Sequence, residues 1–129
     1  MICVDTSVWV AAQRGRVPEV SAELKRILDA DLVLLPIVVR MELLAGVAPS
    51  QQDRLARDML SLPLALPMLQ TWQRIERWLC ESAAQGVRFG LVDSIIAALA
   101  AERGAQVWSL DHAFAAMAGL GWIEVYTPA

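Results

Sequence analysis

Lysine is almost absent from this sequence. Of its eleven Lys and Arg residues only Lys25 is a lysine, and with fourteen acids they leave a formal net charge of −3. That balance excludes the broad basic face expected of a protein that coats duplex nucleic acid nonspecifically, but not contact with nucleic acid through a metal and a few arginines. Cysteine is scarce too. Cys3 lies in an apolar run and Cys80 in a distant helical pattern, with no second Cys or His at metal-ligand spacing, so both are expected to be reduced, buried fillers. The one histidine, His112, cannot establish a general base by itself and is expected at the surface. Long apolar runs are also missing: the uncharged stretch Met59 to Gln73 falls short of the roughly 18 residues a membrane span needs and contains Pro63 and Pro67. The opening residues MICVD lack the basic flank and cleavage site of a signal peptide, so a cytoplasmic location and no membrane association are expected. No GxGxxG or phosphate-loop motif occurs, which counts against nucleotide-binding readings.

Apolar residues, by contrast, are abundant. They make up 57% of the chain, against the roughly 45–50% usual in soluble domains. The surplus predicts apolar surface beyond the core and therefore a partner. With no repeat, linker or low-complexity tract, residues 1–129 are expected to form a single domain. The five tryptophans are scattered through apolar segments, which suits core and interface packing better than a stacking platform.

Periodicity predicts four short buried strands, over Ile2–Val4, Leu32–Leu35, Gln106–Ser109 and Ile123–Tyr126. Helical patterns fall between them: a short one after Thr6, then 20–30, 37–45, 52–60, 68–85 and 94–103. Pro36 in a first turn, and Gly46, Gly86 and Gly104 after helix ends, supply the punctuation. Continuous apolar strands alternating with helices imply an α/β fold with a mainly parallel sheet covered on both faces. In such a sheet the functional crevice lies beyond the carboxyl ends of the strands.

Four acids are tied to those ends. Asp5 follows the first strand, Asp111 stands two residues after Ser109, Asp93 opens a helix that is apolar on nearly all sides, and Glu42 lies inside the helix after the second strand. Taken singly, Asp5, Asp93 and Asp111 also suit helix N-caps, and Glu42 suits a partly exposed helix position. The remaining acids sit among polar neighbours or at helix ends and are expected to be solvated.

The segments VDTSVW, RMELLAG, GLVDSIIAALA and SLDHAF, with Asp5, Glu42, Asp93 and Asp111, resemble in order and spacing the acidic motifs of PIN domains, particularly those of VapC-type toxins. The resemblance spans nearly the whole chain. Ser109 stands where the family often has threonine, which keeps the hydroxyl. The resemblance implies a PIN-like three-layer fold, a Mg2+ or Mn2+ site built by the four acids, endonucleolytic cleavage of RNA, and a cognate antitoxin as partner; with the apolar surplus it also suggests a homodimer. Mg2+ prefers oxygen ligands and is commonly held by one or two carboxylates with waters and phosphate. Asp5 and Asp93 are the expected direct or water-mediated ligands, with Glu42 and Asp111 completing the shell, orienting the attacking water or holding a second ion.

Thr6, Ser7 and Ser109 offer hydroxyls that would support metal-bound water, a carboxylate or substrate; local capping is an equally good account of Ser7. Arg14, Arg16, Arg40 and Arg88 are candidates for guiding phosphate, with Arg40 and Arg88 preferred and solvated surface charge as the ordinary alternative. Two other functions fit parts of the pattern. A non-catalytic PIN-like binding module would keep the fold and partners without activity. Aspartyl phosphotransfer also uses an aspartate after an early strand, but it needs a lysine near a later strand, and Lys25 lies in an early helix.

Overall fold

The structure, a computed structural model, describes residues 1–128. Its centre is a four-stranded parallel sheet in the order β3-β2-β1-β4. β1 is Ile2–Val4, β2 Val33–Pro36, β3 Leu64–Ala65 and β4 Gln106–Trp108. Cys3 pairs with Leu34 on one side and with Val107 on the other. Side chains of a strand point alternately to opposite faces, and here both faces are buried. Ile2, Val4, Val33 and Trp108 pack under α1 (Thr6–Arg14) and α2 (Pro18–Asp29) with Val8, Leu24 and Ile27. Cys3, Leu34 and Val107 join the larger core on the opposite face, built on α3 (Ile37–Ala45), α5 (Leu69–Ala84), α6 (Leu91–Glu102) and α7 (Ala113–Gly119). The remaining helix, α4 (Pro49–Asp58), buries no residue fully.

The expected α/β class with a parallel sheet is present, and α6 is the buried helix its composition implies: Ser94 to Ala100 are all inaccessible. Gly104, with φ +59, then turns the chain into β4 within three residues, a conformation that glycine adopts without steric cost.

Several expectations are corrected. The segment Ile123–Tyr126 is not a strand; it touches the sheet through one parallel bridge, Val107 to Val125, because Gly121 turns the chain and Ile123 dives into the core. The fourth strand is instead Leu64–Ala65, between Pro63 and Pro67. It lies at the sheet edge, where the Pro63 carbonyl accepts from Leu35 N (2.8 Å) and a missing proline N–H costs no ladder bond. α7, absent from the periodic reading, is seven residues long and buries only Phe114 and Met117. Pro36 ends β2 as the cap residue of α3 rather than entering its first turn. Cys3 is buried as expected, whereas Cys80 is exposed on α5.

Aromatic packing locks the larger core. Trp78 stacks on Trp122 with centroids 4.8 Å apart and planes 2° from parallel, and Phe89 meets Trp122 edge-on at 5.5 Å. Trp72 is exposed and joins no such stack. Trp78→Ala should cost about 3–5 kcal/mol of unfolding free energy, as for other buried aromatic truncations. Cys80→Ser should stay within about 0.5 kcal/mol, as at other surface positions. Urea melts of the two variants beside the wild type check both values.

Candidate functional site

The site is built where β1 and β4 end. Asp5, directly after β1, is the N-cap residue of α1 and is only 6% exposed. Its Oδ2 accepts from Ser7 Oγ at 2.7 Å, Ser109 Oγ at 2.8 Å and Ser7 N at 3.4 Å. Each serine hydroxyl owns one proton. With both protons given to Asp5, the two oxygens accept from the backbone: Leu110 N donates to Ser7 Oγ at 3.0 Å and Asp111 N to Ser109 Oγ at 2.9 Å. The 3.2 Å approach of the two hydroxyl oxygens is then a contact imposed by their shared acceptor.

The other acids arrive from neighbouring elements. Glu42, exposed on α3, has Oε1 held by the Thr6 hydroxyl at 2.7 Å. Asp111, after β4, has Oδ1 held by Ala113 N at 3.0 Å. Asp93 lies in the first turn of α6, while Gly90 is the cap residue, so Asp93 is not the N-cap. In three acids one oxygen is thus anchored to the fold and the other receives no protein donor among the described residues. Among the described residues, Asp93 has neither oxygen anchored and no cation paired with it.

The acids share one field. The Asp93 carboxyl is pushed up to about 6, first by burial and then by the negative charges of Asp111, Asp5 and Glu42. Among the described residues, however, no three His, Cys, Asp or Glu side chains converge tightly enough to form a closed metal cage. The two observations concern different distances. Charges act on one another across several ångströms, up to a screening length of roughly 8–10 Å, whereas direct ligation needs oxygens about 2.0–2.1 Å from Mg2+. Oxygen-only groups spread this way suit an ion that keeps part of its water shell.

Thr6 and Ser109 both spend their hydroxyl protons on carboxylates, and Ser7 lies inside α1, where its hydroxyl and backbone N–H steady the cap residue Asp5. Arg40 is half-buried on α3 with its Nε unpartnered, and stands two positions from Glu42, a spacing that turns the two side chains apart on a helix. Arg88 is exposed between α5 and α6. Arg14 ends α1, roughly 12 Å along its axis from Thr6 at the 1.5 Å rise of an α-helix, so neither it nor Arg16 is brought to the acids. His112 is exposed. Lys25 pairs with Asp29 at 2.6 Å on the surface of α2, so the lysine that phosphotransfer requires is not at the acids.

Two acids expected to be solvated are not. Glu102 accepts from the buried Thr71 hydroxyl at 2.9 Å, and Glu23 binds Arg26 and the Tyr126 hydroxyl, which hold its carboxyl down at about 2. The i,i+3 spacing signals the Glu23–Arg26 pair, but nothing local signals Thr71 or Tyr126, which are 31 and 103 residues away from the acids they bind. A separate cavity of about 700 Å³ lies between α1, α2, β2, α3 and the 59–63 segment, with Trp9, Leu24, Leu28, Leu43 and Leu55 in its wall. No helix among the described residues is long and apolar enough to cross a membrane.

Comparison with known proteins gives a consistent picture. The family model described as PIN domain matches residues 2–120. Ribonuclease VapC5 of Mycobacterium tuberculosis (strain ATCC 25618 / H37Rv) is 33% identical over 132 residues, covering 95% of this chain and 91% of the relative. The fold resembles VapBC2 from Rickettsia felis bound to a DNA fragment from their promoter, at TM-score 0.78 and 17% identity over 98% of each chain. It also resembles a toxin-antitoxin complex from Klebsiella pneumoniae, at TM-score 0.73 and 21% identity over 100% of this chain and 98% of the other.

The Asp93 shift fixes the sign of a pH effect in metal-free protein. The folded state keeps the proton up to about pH 6, whereas an unperturbed aspartate releases it near 3.8. The folded state therefore binds more protons in that window, and the stabilisation this group provides below pH 3.8 is lost as pH rises through 6. Asp93→Asn removes the effect, so in chelator its melting temperature relative to wild type should climb between about pH 4 and 6 and level off above. A difference that stays flat across this range would show that Asp93 does not feel the other three acids.

Proposed function

The chain belongs to the PIN-domain family, and from that premise we propose that it is a metal-dependent endoribonuclease, the toxin of a toxin-antitoxin pair. The observation that carries the reading is the Asp5 carboxylate, fixed through Oδ2 by two serine hydroxyls beside three more carboxylates that no cation among the described residues pairs with. A hard divalent cation, Mg2+ or Mn2+, is the complement of such a set, and its residues fit one: all donors are oxygen and most retain a free one. When bound, the ion supplies Lewis acidity towards water and a phosphodiester oxygen. Asp5 and Asp93 would hold it, directly or through water, with Glu42 and Asp111 completing the shell or accepting a proton from the attacking water. Ser7, Ser109 and Thr6 keep the carboxylates aimed, acting as positioning residues. An RNA substrate is what the name of the relative, Ribonuclease VapC5, points to, and it suits a chain expected in the cytoplasm.

The partners follow from apolar surface. The cavity beside α1 and α2 suits an apolar segment of an antitoxin, and one solved structure that shares the fold is a toxin-antitoxin complex. A second apolar surface, Leu60, Leu64, Leu66, Met68, Leu69 and Trp72, is exposed around edge strand β3 and the start of α5. An unpaired edge flanked by apolar side chains suits a second copy of the chain, giving a homodimer.

Purified, partner-free protein should cut a panel of structured RNAs only with Mg2+ or Mn2+. Asp5→Asn and Asp93→Asn should nearly abolish cutting while remaining folded, and Ser109→Ala should lose about 10- to 100-fold, as when other supports of metal ligands are removed. Full activity of both aspartate variants, or robust cutting in excess chelator, would defeat the reading. Sedimentation at tens of micromolar, roughly the range that populates a dimer with a Kd near 1 μM, should show a dimer that Leu69→Asp converts to monomer. A monodisperse wild-type monomer would count against the β3 surface as an interface.

A further inference from the structure

A second recess, of about 350 Å³, adjoins the acid cluster and shares no residue with the large apolar cavity. Trp108 and Tyr126 supply its aromatic surface, meeting edge-on with centroids 5.7 Å apart, and Val20 and Val125 line it from α2 and the C-terminal segment. Ser109 lines it as well, so a single residue belongs both to this recess and to the clamp on Asp5. Glu19 brings a carboxylate, and Thr127 an exposed hydroxyl, to the same opening.

The recess is held by dedicated contacts. Val107 N donates to Glu124 O at 2.9 Å and Tyr126 N to Val107 O at 2.8 Å, which fasten the C-terminal segment to β4. The Tyr126 hydroxyl donates to Glu23, and Arg26 Nη2 donates to that hydroxyl at 3.1 Å, which fasten the same segment to α2. The hydrolytic chemistry above uses none of these residues. A chain of net charge −3 has little net electrostatic attraction for phosphate, and phosphate contacts carry no sequence information, so discrimination among RNAs falls to contacts with the bases. Unstacked bases of single-stranded RNA are held by aromatic and apolar side chains and by hydrogen bonds to their edges. At about 350 Å³ the recess sits at the small end of ligand pockets, which begin near 300 Å³.

We propose that this recess is a nucleobase subsite that takes a base flanking the phosphodiester at the acid cluster, and that Glu19 favours a base displaying an exocyclic amine, since an ionised carboxylate only accepts hydrogen bonds. The proposal rests on the ribonuclease reading. It assigns sequence preference to Glu19, Val20, Tyr126 and Thr127, outside the four acids.

The test uses the full chain and a short single-stranded RNA that the wild type cuts at one place, or, if none is cut, a short RNA that it binds. Cytidine, uridine or an abasic ribose is placed in turn at each position near the cut, or along the whole RNA in the second case. Affinity is measured in chelator, where nothing is cut, and KM and kcat in Mg2+ or Mn2+. At one position the abasic ribose should weaken binding and raise KM about tenfold, the loss of ~1.4 kcal/mol of contact, with kcat little changed, and cytidine should outbind uridine. Glu19→Ala should equalise cytidine and uridine. Val20→Trp, or Thr127→Trp on the exposed rim should the first fail to fold, should fill the recess and make all three substrates alike. Cutting that is indifferent to base identity and to abasic ribose at every position would overturn the subsite and leave the nuclease reading standing. Base-dependent binding in chelator that the variants abolish, with no cutting in any metal, would overturn the nuclease reading and retain the subsite. Variants that weaken an antitoxin complex while leaving the base dependence intact would assign the recess to a peptide instead.

Discussion

The Asp5 clamp is the constraint on which the rest of the site depends. One carboxylate oxygen gathers protons from Ser7, at the start of α1, and Ser109, at the end of β4, and so ties two elements more than a hundred residues apart in sequence to the end of β1. The same serines accept from Leu110 N and Asp111 N, so the turn that carries Asp111 is positioned by the clamp and not independently of it. Replacing either serine by a residue without a hydroxyl would remove one of the two hydroxyls that hold Asp5 and leave a backbone N–H of that turn without its acceptor. The clamp also dictates which oxygen of Asp5 faces outward.

That arrangement concentrates negative charge, and the fold must tolerate it. Two unit charges 4 Å apart repel by about 4 kcal/mol at an effective dielectric near 20. The protein spreads the acids over four elements instead of packing them into a cage, and the Asp93 carboxyl is pushed up to about 6. Asp93 is also the acid carried by the most buried helix, so burial and charge act on it in the same direction. Tolerance comes from the layers beneath: α6 is immobilised between the sheet and its neighbouring helices, where Ile96, Leu99, Phe114 and Met117 are almost wholly inaccessible. A rigid core lets the acids stay close without the helix carrying Asp93 moving away.

The parts of this arrangement that were legible in the sequence are those that follow from local pattern. An aspartate directly after an apolar run places itself at a strand end, and a helix apolar on all sides can only be buried, so Asp5 and Asp93 were readable from their neighbours. The parts that were not depend on distant chain. Leu64–Ala65 is a strand because β2 offers an unpaired edge, and its flanking prolines argue against any strand that has to be hydrogen-bonded on both sides. Ile123–Tyr126 has the right residues for a strand but finds one bridge, since β4 is three residues long and Gly121 delivers the segment at an angle set by burial of Ile123. The ties of Glu102 to Thr71 and of Glu23 to Tyr126 cross between elements, and no spacing rule reaches them.

The apolar surplus is accounted for by where the exposed surfaces fall. In the order β3-β2-β1-β4 the exposed leucines around β3 lie on the opposite edge of the sheet from β4, whose end carries the Ser109 clamp and the smaller recess. A partner bound along the β3 edge therefore leaves the β4 side open. The large cavity is different in kind. Its wall includes Trp9, one helical turn beyond Asp5 on the helix that Asp5 caps, and the indole Nε1 of Trp9 is buried without a hydrogen-bond partner. A segment filling that cavity would pack against α1, the element whose N-cap is Asp5 and on which the clamp is built.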